Sequence, residues 1–144
     1  MLKGIPSILT PELLKTLMEM GHSDEIVIAD GNFPSGTFGK KVIRLDGHGV
    51  PEVLDALLKF FPLDPYVEKP VALMEVVPGD AVETPIWEVY KGIINKHEPI
   101  NNKIGNIERF AFYERAKSAY AVIATSEAAL YANIILKKGV VIEE

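Results

Sequence analysis

Hydrophobic positions along this chain switch between two periods. From residue 10 the period is helical: Leu13, Leu14, Leu17 and Met18 make an apolar stripe. Thr10 suits the N-cap, Pro11 the first helical position, and Gly21 the C-terminal stop. His22 falls immediately past that end. Residues 25–30 then form a short β-branched apolar run, which predicts a strand buried on both faces and stopped by Gly31-Asn32. Asp30 is left at its carboxyl end.

The same rhythm repeats downstream. Residues 41–45 predict a strand, followed by a helix with Pro51 at its start and Val53, Leu54, Leu57, Leu58 and Phe61 on its inner face. Residues 71–77 predict another strand. Thr84-Pro85 opens a helix in which Ile86, Val89, Tyr90, Ile93 and Ile94 recur at helical spacing. Residues 97–106 read as a polar loop, 109–119 as a helix, 120–124 as a strand, and 133–136 with 140–142 as a final extended pair around Gly139. Apolar segments with short polar joints, no internal repeat and no Pro/Gly-rich linker predict a single domain over residues 1–144. Strand–helix alternation makes it an α/β fold, a three-layer α/β/α arrangement with a largely parallel central sheet. In such sheets ligands gather at the carboxyl ends of strands.

Composition narrows what the fold can do. Among 144 residues there is no cysteine, so disulfides, thiolate metal sites and cysteine nucleophiles are excluded. Fifteen basic against twenty acidic residues give a net charge of −5, and no basic helix interleaved with aromatics supplies a surface for nucleic acid. The start, Met1 to Pro6, lacks the apolar stretch of a signal peptide, and no run approaches the ~18 apolar residues of a membrane span. A cytoplasmic location with no membrane partner is expected. His48 and His97 are expected in loops, and no ligand spacing links the three histidines, so neither a metal nor any other cofactor is expected.

Candidate chemistry begins with His22 and Asp30. Histidine titrates near neutrality and can move protons in both directions, although a lone His is more often structural; Asp before Gly-Asn is also an ordinary turn former. The glycine-containing stretch from Gly31 to Lys40 fails the phosphate-loop spacing, because Gly36 precedes Thr37 where that loop needs Gly-Lys-Ser/Thr. It reads instead as a surface loop shaping a pocket. The segment from Arg109 to Ala116 mixes Phe110, Phe112 and Tyr113 with two arginines, which an ordinary half-buried helix would also explain. Tyr131-Ala132-Asn133 reads as a turn into the last strand. Arg, Tyr, Asn and Asp are nonetheless the side chains by which proteins grip sugar hydroxyls, with an aromatic ring to cover an apolar sugar face.

Three stretches taken together, residues 20–34 (Met-Gly-His-Ser-Asp-Glu-Ile-Val-Ile-Ala-Asp through Asn32-Phe33-Pro34), 109–116 (Arg-Phe-Ala-Phe-Tyr-Glu-Arg-Ala) and 131–140 (Tyr-Ala-Asn-Ile-Ile-Leu-Lys-Lys-Gly-Val), resemble the fucose mutarotase / ribose pyranase family in the family's order and over nearly the whole chain. The resemblance implies an isomerase that interconverts the cyclic forms of a free monosaccharide. Its catalytic group would be His22, its sugar-contacting set Asp30, Arg109, Tyr113, Tyr131 and Asn133. The stretch 110–115 is similar to the fucose branch, and the ribose branch carries His where Tyr113 stands, so L-fucose is expected over ribose. Gly31-Asn32 and Ser35-Gly36-Thr37 depart from the family wording beside Phe33-Pro34, at the rim of the expected pocket. The resemblance further implies a ring-shaped homo-oligomer, commonly a decamer, in which the Tyr131–Asn133 segment completes a neighbour's pocket. Alternatives are D-ribose pyranase chemistry, a non-catalytic monosaccharide-binding module, and a structural α/β subunit.

Overall fold

The computed structural model describes residues 1–143. In chain order they form α1 (Pro11–Glu19), β1 (Glu25–Ala29), α2 (Ser35–Phe38), β2 (Val42–Leu45), α3 (Val50–Leu58), β3 (Val71–Met74), α4 (Pro85–His97), β4 (Ile104–Ile107), α5 (Arg109–Ser118), β5 (Ala121–Thr125) and β6 (Ile134–Lys137). Thr10 caps α1 by accepting the Leu13 N–H at 3.2 Å, and the Glu52 carboxylate accepts the Gly49 N–H at the start of α3 at 3.0 Å, each satisfying a donor the helix leaves free.

The strands make one sheet in the order β2-β5-β1-β6-β3-β4. Three pairings are parallel, β1 with β5, β2 with β5 and β3 with β4. β6 runs antiparallel to both its neighbours, β1 and β3. The sheet is therefore mixed, a correction to the expected largely parallel one. The reason is the short connection over residues 126–133: a parallel return needs a crossover of roughly a dozen or more residues, and without one the chain turns back beside β1.

Both faces of the sheet are covered. Ile26 and Ile28 face α1, α3 and α4 in a core with Leu13, Leu54, Leu57 and Ile94. Val27 and Ala29, one residue out of phase, face α5 in a second core with Phe112, Ala116 and Phe33. Helices on either side give the three layers, and each fully buried Leu or Ile contributes roughly 1.5–3 kcal/mol of burial.

Several local expectations give way to packing. Met18 is 87% exposed, because the inward row of α1 is Leu13, Thr16, Leu17 and then Met20 beyond its end. α1 ends at Glu19 with Met20 as its C-cap, so Gly21 follows directly on the stop, and the left-handed residue of the turn into β1 is Ser23, at φ 67°, whose N–H donates to the Lys138 carbonyl at 2.8 Å. β3 stops at Met74, and β4 begins within the stretch expected as a loop and runs one residue past it, a short edge strand with few apolar residues to reveal it. Residues 140–142 are exposed and form no strand. His97 ends α4 rather than lying in a loop, with Nε2 2.7 Å from Asp55 Oδ1. Among the described residues no helix is long and apolar enough to cross a membrane.

Candidate active site

The antiparallel course of β6 decides where chemistry can gather. Its first residue stands beside the carboxyl end of β1, in the pairing of Ile28 with Ile134, so the residues leading into β6 arrive next to Asp30. Arg109 follows the carboxyl end of β4, and the segment after β3 leaves from the same edge. There an open hollow of about 260 Å³ is lined by Asp30, Arg109, Tyr113, Tyr131 and Asn133, with Phe33, Met74 and Asp80 among its other walls. Five of the six residues singled out in the sequence thus meet at one place.

Each is held by specific bonds. The Asp30 N–H donates to Asn133 Oδ1 at 2.7 Å, which leaves the Asn133 amide N–H₂ to donate elsewhere. The Asp30 side chain, on a residue only 6% exposed, accepts the Asn32 N–H at 3.0 Å. Burial pushes its carboxyl up, against the backbone N–H groups of Asn32, Ala132 and Phe33, which favour the ionised form. Residues 131 and 132 are pinned from α4: Trp87 Nε1 donates to the Tyr131 carbonyl at 2.8 Å and the Tyr90 hydroxyl to the Ala132 carbonyl at 2.6 Å. Tyr131 itself sits at φ 53°, a backbone conformation a bulky residue rarely adopts unless its surroundings impose it.

Aromatic rings form the other wall. Tyr113 stacks on Phe38 with centroids 4.8 Å apart and an interplanar angle of 12°, and meets Phe33 at 5.8 Å. The stretch from Gly31, expected to shape a pocket, does so through Asn32, Phe33 and Pro34 and carries the short helix α2. The Arg109 guanidinium lies 4.6 Å from the centroid of Phe110, with its remaining donors free to reach a ligand. Carboxylate, amide, phenol and guanidinium groups facing an aromatic wall suit a small ligand rich in hydroxyls.

His22 is elsewhere. It precedes β1 while Asp30 follows it, so the five-residue strand, roughly 17 Å long, separates the two. At the amino end His22 Nε2 lies 3.1 Å from Asp64 Oδ1, and its ring stands 5.2 Å from that of Tyr66. Asp64 is 2% exposed while the imidazole is 42% exposed, an arrangement that orients a reachable ring with a buried carboxylate. Burial pushes the Asp64 carboxyl up, but the Tyr66 N–H and the His22 imidazole outweigh it and hold the group below the usual carboxylate range. Within its own chain the Tyr131–Asn133 segment lines the hollow. The group set apart from the hollow is the imidazole.

Sequence reasoning missed Asp64, Asp80 and Trp87. Asp64 stands in a Leu-Asp-Pro turn and Asp80 in a Pro-Gly-Asp turn, where aspartate is an ordinary turn residue and no spacing links it to His22 or Tyr131. Trp87 is the only tryptophan, one position beyond the apolar Ile86, and could have been suspected on that ground alone.

Fold and hollow define an α/β protein equipped to hold a small polyhydroxylated ligand at the carboxyl edge of its sheet. The chain matches, over residues 3–141, the model of the RbsD / FucU transport protein family. It belongs to that family. It is 52% identical to the fucose mutarotase of Homo sapiens, with 96% of this chain and 94% of the relative covered. The crystal structure of FucU from Bifidobacterium longum is 62% identical and superposes with a TM-score of 0.94, covering 97% of this chain and 100% of that one. The fucose mutarotase of Streptococcus pneumoniae, solved in complex with L-fucose, is 52% identical with a TM-score of 0.93, covering 98% of this chain and 100% of that one.

Proposed function

We propose that this chain is an L-fucose mutarotase, an isomerase that interconverts the α and β anomers of the free sugar in the cytoplasm, with residues 1–144 acting as one mutarotase domain. The observation that carries the reading is the convergence of Asp30, Arg109, Tyr113, Tyr131 and Asn133 on one small hollow, in a chain 52% identical to a fucose mutarotase solved with L-fucose. Asp30 accepts from sugar hydroxyls, Arg109 and the Asn133 amide donate to them, and Tyr113 packs against the sugar's apolar face.

Mutarotation opens and recloses a hemiacetal. The anomeric hydroxyl loses its proton as the bond from the anomeric carbon to the ring oxygen breaks, the ring oxygen gains a proton, and a carbonyl forms. Rotation about the adjacent carbon–carbon bond and the reverse steps then give the other anomer. A positioned imidazole is the fitting proton donor to the ring oxygen, a contribution of ~10²–10⁴ in rate. Within one copy His22 and the hollow stand at opposite ends of β1, so the donor comes from a neighbour. A head-to-tail contact of this kind closes into a ring when its rotation permits, and a ring-shaped homo-oligomer, decameric as the family resemblance implies, places each His22–Asp64 pair at the next copy's hollow.

The test is anomer exchange measured by NMR saturation transfer on L-fucose, D-ribose and D-galactose. Exchange well above the buffer rate and fastest on fucose is the expected result. Saturable fucose binding with exchange no faster than in buffer would make the chain a binding module, and preference for ribose would make it a pyranase.

A further inference from the structure

Asp80 lies in the segment between β3 and α4, lines the same hollow as Asp30, and belongs to none of the stretches that carry the family resemblance. The Tyr131 hydroxyl donates to Asp80 Oδ2 at 2.7 Å and accepts the Val77 N–H at 3.3 Å. A phenol has one proton and two lone pairs. With the proton committed to Asp80 and one lone pair to Val77, a single acceptor site remains. Three further constraints fix the backbone from which the ring projects: the left-handed conformation at Tyr131, the Trp87 bond to its carbonyl and the Tyr90 bond to the next carbonyl.

We infer that Asp80 is a positioning residue for the sugar site: by taking the Tyr131 proton it fixes that phenol as a hydrogen-bond acceptor toward the bound sugar. Tyr131 then complements the Arg109 guanidinium and the Asn133 N–H₂ group, which can only donate. Without Asp80 the phenol regains a proton to present and a torsion to explore, and a sugar hydroxyl loses a prepared acceptor. Asp80 is exposed and ends no strand or helix, so its bond to Tyr131 does more for the hollow than for the fold.

The assignment rests on the mutarotase reading, and the wild-type chain is assayed first for fucose exchange; absence of exchange overturns that reading. With wild-type exchange established, D80A, D80N, Y131F and the D80A/Y131F pair are compared by saturation transfer and by calorimetric titration with L-fucose. D80A is expected to raise KM and Kd for fucose about tenfold, the scale of one misdirected hydrogen bond, with kcat changed much less. D80N recovers most of that loss, because an amide oxygen still accepts the Tyr131 proton. In the Y131F background D80A costs less than about twofold, since the two residues act as one unit. Equal losses from D80A in both backgrounds, or a D80N no better than D80A, would overturn the role assigned to Asp80.

Discussion

Asn133 Oδ1 accepts the backbone N–H of Asp30 at 2.7 Å, joining residues 103 positions apart at the edge of the sheet. That bond holds the acidic tip of β1 against the segment entering β6, and both ends of it are buried. Asn133→Ala leaves the Asp30 N–H without a partner, which costs about 1–3 kcal/mol for a buried donor. Urea unfolding should show that loss, together with weaker fucose binding in calorimetric titration; unchanged stability would mean that another group takes the N–H.

His22→Gln is expected to keep fucose binding within a few-fold and to slow anomer exchange by ~10²–10⁴. Saturation transfer on saturated enzyme separates the two effects. Undiminished turnover would remove the imidazole from the proton step.

A site shared between copies makes a further outcome observable. Two inactive variants, one with His22→Gln and one with Arg109→Ala, each spoil a different half of every pocket. Co-expressed at equal levels, they should recover roughly a quarter of full activity, because random mixing in a head-to-tail ring pairs an intact imidazole with an intact hollow at that frequency. No recovery in mixed assemblies verified by mass spectrometry would place both halves in one copy.

Two buried carboxyls pull stability in opposite directions with pH. Asp64 is held below its unfolded value, so its contribution is fully present above about pH 4 and is lost as pH falls through the folded value. Asp30 is pushed above its unfolded value by burial, so its contribution declines as pH rises from about 4 through the folded value. Unfolding free energies across a pH series should show Asp64→Asn flattening the acid limb and Asp30→Asn steepening the rise above it.

Gly139 follows β6 where the chain passes the turn that carries Asp64. A Cβ there would meet the Leu63 carbonyl oxygen at 2.7 Å and the Asp64 Cα at 3.0 Å, backbone atoms that cannot swing aside. Gly139→Ala should destabilise the fold by about 1–3 kcal/mol and slow exchange more than it weakens fucose binding, since the displaced segment orients His22 and not the hollow. Thermal melting and saturation transfer check the pair.

The alternation of helical and extended periods determined most of the elements, because each buries one stripe or run of side chains and that need is written locally. Leu13 and Leu17, the unbroken run Ile26 to Ala29, and Val53, Leu54 and Leu57 all announce their burial by spacing alone. The same local reading failed where a long-range contact decides. Met18 faces water because Thr16 takes the inward position, β4 exists only because β3 lies beside it, and residues 140–142 find no strand to pair with.

The chemistry divides in the same way. Asp30, Arg109, Tyr113, Tyr131 and Asn133 could be singled out from residue type and from the family resemblance, since donors and acceptors for hydroxyls are recognisable one at a time. That they share one hollow, and that His22, set before the predicted strand, meets Asp64 there, was decided by the tertiary structure alone. The physical reason is the reversal of β6: a short return from β5 forces it antiparallel, and only that direction delivers Tyr131 and Asn133 to the edge where β1 ends.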